Sequence, residues 1–309
     1  MSRLKTILNP KSYLGFAWRQ LEEIRLRFQP NMRGATRYQP GHFYSPLLDI
    51  KGLNPNDASV PFDGAEWWEH VNLRSGEQRS YYEDLLGRFP FLPFPSEETD
   101  DYRYFTRNEW FAVSDAFTLS AIIQKEKPRR IVEVGSGFSS AVMLDTLDHA
   151  RMSCALTFIE PYPERLYSLL SPDDKSISTI LVNRVQEVSL SVFDQLEAQD
   201  LLFIDSSHVA KVGSDVTFIF LRILPRLKPG VIVHFHDIFY PCSYPLKWIR
   251  EGRAWNESVI LRAFLMGNPQ FQIVAFNSYA GSSFPELFRE RFPAFLKDTG
   301  GSIWIRKVA

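Results

Sequence analysis

Residues Arg130-Ile131-Val132-Glu133-Val134-Gly135-Ser136-Gly137-Phe138-Ser139-Ser140 constrain this chain more than any other stretch, because they read as a buried strand, a glycine-bent loop and then a helix. The β-branched run favours the strand. Gly135 and Gly137 permit a tight turn and a close backbone approach to a ligand, and Ser139 and Ser140 can cap the helix that follows. Such a junction is a nucleotide-cofactor site. A phosphate-cradling P-loop is excluded, since Gly137-Phe138-Ser139-Ser140 has no lysine. A dinucleotide fingerprint, G-x-G-x-x-G, matches only in part, with Ser140 in the place of its third glycine.

The residues downstream alternate strand and helix. Ala155 to Glu160 reads as a second strand ending in an acid, and a carboxylate there can accept hydrogen bonds from both hydroxyls of a ribose. Ser178 to Val182 is a third strand and Asp200 to Asp205 a fourth. Leu227-Lys228-Pro229-Gly230-Val231-Ile232-Val233 is a helix stop, a turn and a fifth strand. Glu257 to Met266 reads as a helix, Phe271 to Phe276 as a sixth strand and Ser302 to Lys307 as a seventh. This alternation predicts an α/β fold, a Rossmann-like doubly wound sheet. Upstream, Thr106-Arg107-Asn108-Glu109 has a capping-box pattern and predicts the start of a helix running toward Lys127.

Taken together, Glu133-x-Gly135-x-Gly137, the strand-end Glu160, D-L-L-F-I-D-S-S-H from Asp200 and L-K-P-G-V-I-V-H-F-H-D from Leu227 resemble the class I S-adenosyl-L-methionine (SAM)-dependent methyltransferases. The similarity is greatest to the methyltransferase-24 family, and it covers about Thr106 to Val308. It implies SAM as cofactor and the strand order 3-2-1-4-5-7-6, with the seventh strand antiparallel. It also implies cofactor contacts from Glu133, Gly135, Ser136, Gly137, Glu160, Gln186 and Asp205. In that set Glu133 faces the ammonium end of the cofactor, and Gln186 belongs to the adenine-contacting stretch Asn183 to Glu187.

Chemistry is expected where Asp205, Ser206, Ser207 and His208 follow strand four and His234, His236 and Asp237 end strand five, because these carboxyl ends line one crevice. Three of the six histidines of the chain fall there. Methyl transfer to a hydroxyl needs a base, a divalent cation, or both. Asp205-x-x-His208 with His236-Asp237 is similar to metal-dependent sugar O-methyltransferases, which implies Asp205 and Asp237 as ligands of Mg²⁺ and His208 as the catalytic base. His236 stands where those enzymes carry an acid. An imidazole there suits Mn²⁺ better than Mg²⁺ and makes Asp205, His236 and Asp237 the expected metal set. His234 lies deeper on the same strand face, in a packing role.

The leading expectation is therefore O-methylation of a small sugar-like or polyhydroxylated acceptor. A metal-independent N-methyltransferase and a non-catalytic scaffold that keeps the fold are the alternatives, with an NAD-binding oxidoreductase more distant.

Composition bears on the rest of the chain. With 309 residues, 45% of them hydrophobic, the chain can bury a sizeable core. A net charge of −1 gives no pull toward nucleic acid, which is not an expected partner. Two cysteines make neither a disulfide framework nor a zinc site, and no apolar run reaches the roughly 20 residues of a membrane span, so a cytoplasmic protein is expected. Residues 1–104 are expected to form an N-terminal extension and 105–309 the methyltransferase domain. Met1 to Pro40 carries eight Lys or Arg against two acids, whereas Gly41 to Arg103 carries twelve acids against five Lys or Arg. Within the basic part, Tyr13 to Phe28 predicts an amphipathic helix that packs on its own domain, pairs two copies in a homodimer, or rests on an anionic membrane. The aromatic-rich segment from Gln29 to Asp101 is expected either to wrap the sheet or to cover the cofactor cleft as a lid.

Overall fold

The computed structural model describes residues 38, 40–50, 53, 63–89 and 92–309, and the expected helix from Tyr13 to Phe28 lies outside them. Two compact units are present, Met1–Pro55 and Asn56–Ala309. In the first, the rings of Tyr38 and His42 stack at 4.7 Å and those of His42 and Phe43 at 4.5 Å. The second unit carries the sheet and also takes in residues 63–104, assigned from sequence to the extension. Trp68, Tyr82 and Leu85 of that segment are buried in the same core as the strands.

Seven strands form one sheet in the order β3-β2-β1-β4-β5-β7-β6, as the resemblance implies. They are β1 (Arg130–Val134), β2 (Ala155–Ile159), β3 (Thr179–Leu181), β4 (Leu201–Ile204), β5 (Ile232–Phe235), β6 (Phe271–Phe276) and β7 (Ile303–Lys307). The first five are parallel, and β7 runs antiparallel to both β5 and β6. Strands β4 and β5 are buried along their whole length, which is why they read as continuous apolar runs. Phe203, at the middle of the sheet, has no exposed surface, and truncating such a ring costs about 3–5 kcal/mol.

Four described helices of nine or more residues flank the sheet: α1 (Ser75–Arg88), α2 (Val113–Glu126), α3 (Phe138–Ala150) and α4 (Glu257–Leu265). Helix α2 starts at Val113 and not near Thr106. The side chain of Asn108 explains the difference: its Oδ1 accepts from the backbone N–H of Trp110 and Phe111 at 2.9 and 2.7 Å. Its Nδ2 donates to the Phe105 carbonyl at 2.6 Å, so Asn108 holds a turn where the capping pattern predicted a helix. Among the described residues no helix is long and apolar enough to cross a membrane.

Ladder bonds continue one residue past the strand ends and set the site. The Asp205 N–H donates to the Val134 carbonyl at 2.8 Å, that of His236 to Ile204 at 2.9 Å and that of Gly135 to Ile159 at 3.0 Å. The glycine loop, Asp205 and His236 therefore emerge side by side.

Candidate active site

The glycine loop is held from beneath by Glu133. This carboxylate is fully buried, and it accepts from Ser139 Oγ at 2.6 Å and from Ser140 Oγ, both in the first turn of α3. Ser140 Oγ also accepts from the Gly137 N–H at 3.0 Å, so Ser140 both braces the loop and caps the helix, while Ser139 only braces it through Glu133. Burial pushes the Glu133 carboxyl up to about 8, against the serine hydrogen bonds and with the help of the Asp205 charge. Both oxygens of Glu133 are thus tied to the first turn of α3, beneath the loop. Gly135 has φ +80°, and a Cβ there would lie 1.7 Å from the backbone oxygen of Asp205. Gly137 is extended, and a Cβ there would meet the Arg165 side chain, with Cδ at 3.2 Å and Cγ at 3.9 Å.

Glu160 closes the other side of the loop. Its Oε2 accepts from the Ser136 N–H at 3.0 Å and its Oε1 from the Tyr162 N–H at 2.8 Å. Each oxygen keeps a lone pair for a further donor. Gln186 donates through Nε2 to the Gly213 carbonyl at 3.0 Å, while its Oε1 is buried without a hydrogen-bond partner among the described residues.

Beyond the loop, Asp205, His208 and Asp237 converge, each offering a ligand atom within 4.8 Å of the others. His208 Nε2 lies 3.4 Å from Asp205 Oδ1 and 3.5 Å from Asp237 Oδ2. The Asp205 side chain is one-third exposed (33%) and that of Asp237 less so (16%), which leaves the cluster open on one side. His208 and Asp237 both have left-handed backbones, φ 59° and 56°, an arrangement that non-glycine residues adopt at a cost and that concentrates at functional sites.

His236 differs from its expected place. It is Nε2 of His208, and not that of His236, that groups with the two aspartate oxygens. His236 Nε2 is 3.7 Å from Asp237 Oδ1, and its ring lies against Phe111 at 5.1 Å and His234 at 5.6 Å. As the last ring on the strand face it is held by aromatic packing, while the left-handed turn at Asp237 follows it. His234 is fully buried, stacked on Phe203 at 3.8 Å and bonded through Nε2 to Ser302 Oγ at 3.0 Å, in the packing role expected of it.

The residue that sequence reasoning missed is Glu257, the first residue of α4. It is buried, and its Oε2 lies 2.9 Å from His208 Nδ1. Only its place at a helix start, after Asn256, hinted at any role beyond that of an ordinary first-turn acid.

The electrostatics of the cluster are coupled. Burial works against a charged His208 ring, but Asp205, Glu257 and Asp237 outweigh it and hold the imidazolium well above the usual histidine range. Burial likewise opposes charge on His236, and Asp237, Asp205 and Asp115 raise it. Burial pushes Asp205 up, yet His236 and His208 bring it below the usual carboxylate value. For Asp237 burial wins over the same histidines and the net direction is upward. Such a cluster can take a proton from a bound group, hold a cation, or both.

A family model described as a methyltransferase domain matches residues 132–238. An uncharacterised protein of Archaeoglobus fulgidus is 32% identical over 170 residues, which cover 52% of this chain and 74% of that one. Among solved structures, the SAH-bound methyltransferase PaMTH1 of Podospora anserina is 14% identical with a TM-score of 0.43, covering 82% of this chain and 100% of that one. CmcI in its Mg–SAM form is 18% identical with a TM-score of 0.40, covering 72% and 84%. An O-methyltransferase from Bacillus cereus in complex with SAH is 14% identical with a TM-score of 0.38, covering 74% and 90%. These three are likenesses of chain trace.

Proposed function

The chain belongs to the methyltransferase-24 family of class I SAM-dependent methyltransferases, and from that premise we propose that it methylates a hydroxyl of a small sugar-like or polyhydroxylated acceptor. The observation that carries this reading is the convergence of Asp205, His208 and Asp237 within 4.8 Å at the strand ends beside the glycine loop. A hydroxyl has too high a pKa to attack a methyl group unaided, and this cluster supplies what such an acceptor lacks.

The cofactor is held by the loop residues. Gly135 to Gly137 give the backbone approach, Glu160 receives the ribose hydroxyls, and the unpaired Oε1 of Gln186 suits the amino group of the adenine. In the transfer, the acceptor oxygen forms a bond to the methyl carbon as the carbon–sulfur bond breaks, its electron pair passing to sulfur. The hydroxyl proton goes to Nε2 of His208 in its neutral form, which the positive sulfonium of the bound cofactor favours over the imidazolium, and S-adenosylhomocysteine is released. Asp205 and Asp237 favour the imidazolium that this step creates.

The same residues fit a divalent cation. Two carboxylates on an open, partly exposed side give the oxygen-rich set that Mg²⁺ or Mn²⁺ takes, so Asp205 and Asp237 would hold it. Bound there, the ion would lower the pKa of a hydroxyl in contact with it.

A second reading rests on Glu257. A carboxylate behind His208 supports proton transfer without any metal, as an N-methyltransferase or other metal-independent enzyme would use it. Calorimetric titration with S-adenosylhomocysteine in EDTA, and again in Mg²⁺ or Mn²⁺, followed by a screen of hydroxylated and amine acceptors, separates the two. Failure of the folded protein to bind S-adenosylhomocysteine would leave only a scaffold role.

A further inference from the structure

His208 is gripped by the start of α4 through both its backbone and its ring. The N–H groups of Asn256 and Glu257 both donate to the His208 carbonyl, at 2.9 and 3.1 Å. Two residues on, Asn256 Oδ1 accepts from the Ala210 N–H at 2.6 Å and its Nδ2 donates to the Ala210 carbonyl at 3.3 Å. The side chain of Glu257 completes the grip: Oε2 meets His208 Nδ1 at 2.9 Å, and Oε1 accepts from Ser206 Oγ at 3.4 Å. Trp255 lies against the imidazole with its ring centre 4.4 Å away. A left-handed, non-glycine residue in an irregular loop would not keep one orientation unaided, and here six hydrogen bonds to His208, Ala210 and Ser206 and an aromatic wall hold it.

We propose that Glu257 is a positioning residue for His208: it accepts the Nδ1 proton, fixes the ring in the orientation that turns Nε2 toward Asp205 and Asp237, and so leaves Nε2 as the atom that exchanges protons with the acceptor. This rests on the reading of His208 as the base. A carboxylate behind an imidazole selects the tautomer and favours the charged ring as it forms. Glu257 is buried at 1% exposure, and its carboxylate bonds to His208 and Ser206, so it acts by holding these neighbours and not by meeting a ligand from solvent.

The test needs no acceptor. The full chain, labelled with ¹⁵N-histidine and saturated with S-adenosylhomocysteine, is examined by long-range ¹H–¹⁵N spectra, with the His208 signals assigned by their loss in H208Q. The spectra are read above the pH at which Nε2 loses its proton; there, in the wild type, Nδ1 of His208 still carries a proton, and E257Q, whose amide oxygen still accepts it, keeps that pattern. E257L loses it, with the ring passing to the other tautomer or broadening through exchange. A wild-type spectrum with no proton on Nδ1 overturns the proposal even if E257L fails to fold, and so does an E257L spectrum identical to that of the wild type. Once an acceptor is found, E257Q lowers kcat by tenfold or more with KM for SAM unchanged, and a rise in KM alone contradicts the positioning role. Absence of any methyl transfer, with the tautomer pattern as stated, rejects the proposed reaction and leaves the positioning intact.

Discussion

Gly135 and Asp205 meet backbone to backbone across the top of the sheet, so closely that a Cβ on Gly135 would stand 1.7 Å from the Asp205 carbonyl oxygen. The cofactor loop and the proposed catalytic loop are thus parts of one packed junction, and no side chain of any kind fits between them.

Gly135→Ala is therefore expected to do more than weaken cofactor binding. The positive φ by itself costs about 1–2 kcal/mol, and relieving the clash must move β1 from β4. Thermal unfolding should show a loss of stability of at least about 2 kcal/mol, and calorimetry should show no binding of S-adenosylhomocysteine. A stable Gly135→Ala protein that binds normally would mean that the junction yields easily.

Asp205→Asn and Asp237→Asn should each abolish binding of Mn²⁺ measured by calorimetry, whereas His236→Asn should retain it, since the ring of His236 is held by Phe111 and His234 and lies outside the cluster. With a hydroxylated acceptor, EDTA should stop turnover and added Mg²⁺ or Mn²⁺ restore it. His208→Gln should lower kcat by about 10²–10⁴-fold, the usual contribution of a general base.

Affinity for the cofactor should depend on pH through Glu133. Its folded value is about 8, above the ordinary 4.5, so the native protein holds this proton more tightly than the unfolded chain does. Its contribution to stability is then fully present below about 4.5 and is lost as pH rises through about 8. Ligand binding runs the other way, because the deprotonated carboxylate attracts the ammonium group. Titrations of S-adenosylhomocysteine from pH 6 to 8 should give affinity rising by up to about tenfold per pH unit in the wild type and a flatter profile in Glu133→Gln.

Arg103 pins the approach to α2. Its guanidinium pairs with Asp145, Asp148 and Asp174 at 2.7, 2.8 and 2.6 Å, and two of these carboxylates are nearly sealed from solvent. Arg103→Met should cost about 3–5 kcal/mol by leaving buried charges unpaired. Adding Asp145→Asn and Asp174→Asn should recover part of that loss, as read from denaturant unfolding, and no recovery would show that the packing of the Arg103 stem matters more than its charge.

The strands were legible because their signals are local: the runs at Arg130, Phe271 and Leu201 are apolar and β-branched or aromatic, and each formed the expected strand. The misread helix start at Thr106 came from Asn108, whose side chain can serve a cap or a turn. Its bonds to Phe105, Trp110 and Phe111, all within three residues, made the turn. In the candidate site, Asp205, His208 and Asp237 were visible as strand-end residues. Which histidine joined the aspartates was not, because the spacing puts His236 beside Asp237 in the chain while the fold puts His208 beside it in space.

The chain showed where the strands and the glycine loop lie, since apolar runs bounded by helix stops mark the strands and Gly135 needs a residue without a Cβ, whereas the order of strands in the sheet came from the family resemblance. Only the tertiary structure decided the chemistry of the cluster. Glu257 reaches His208 from 49 positions away, and His208 and Asp237 take left-handed backbones that neither residue type announces. Convergence of side chains from separate segments depends on how β4, β5 and α4 pack, and that packing has no local signature.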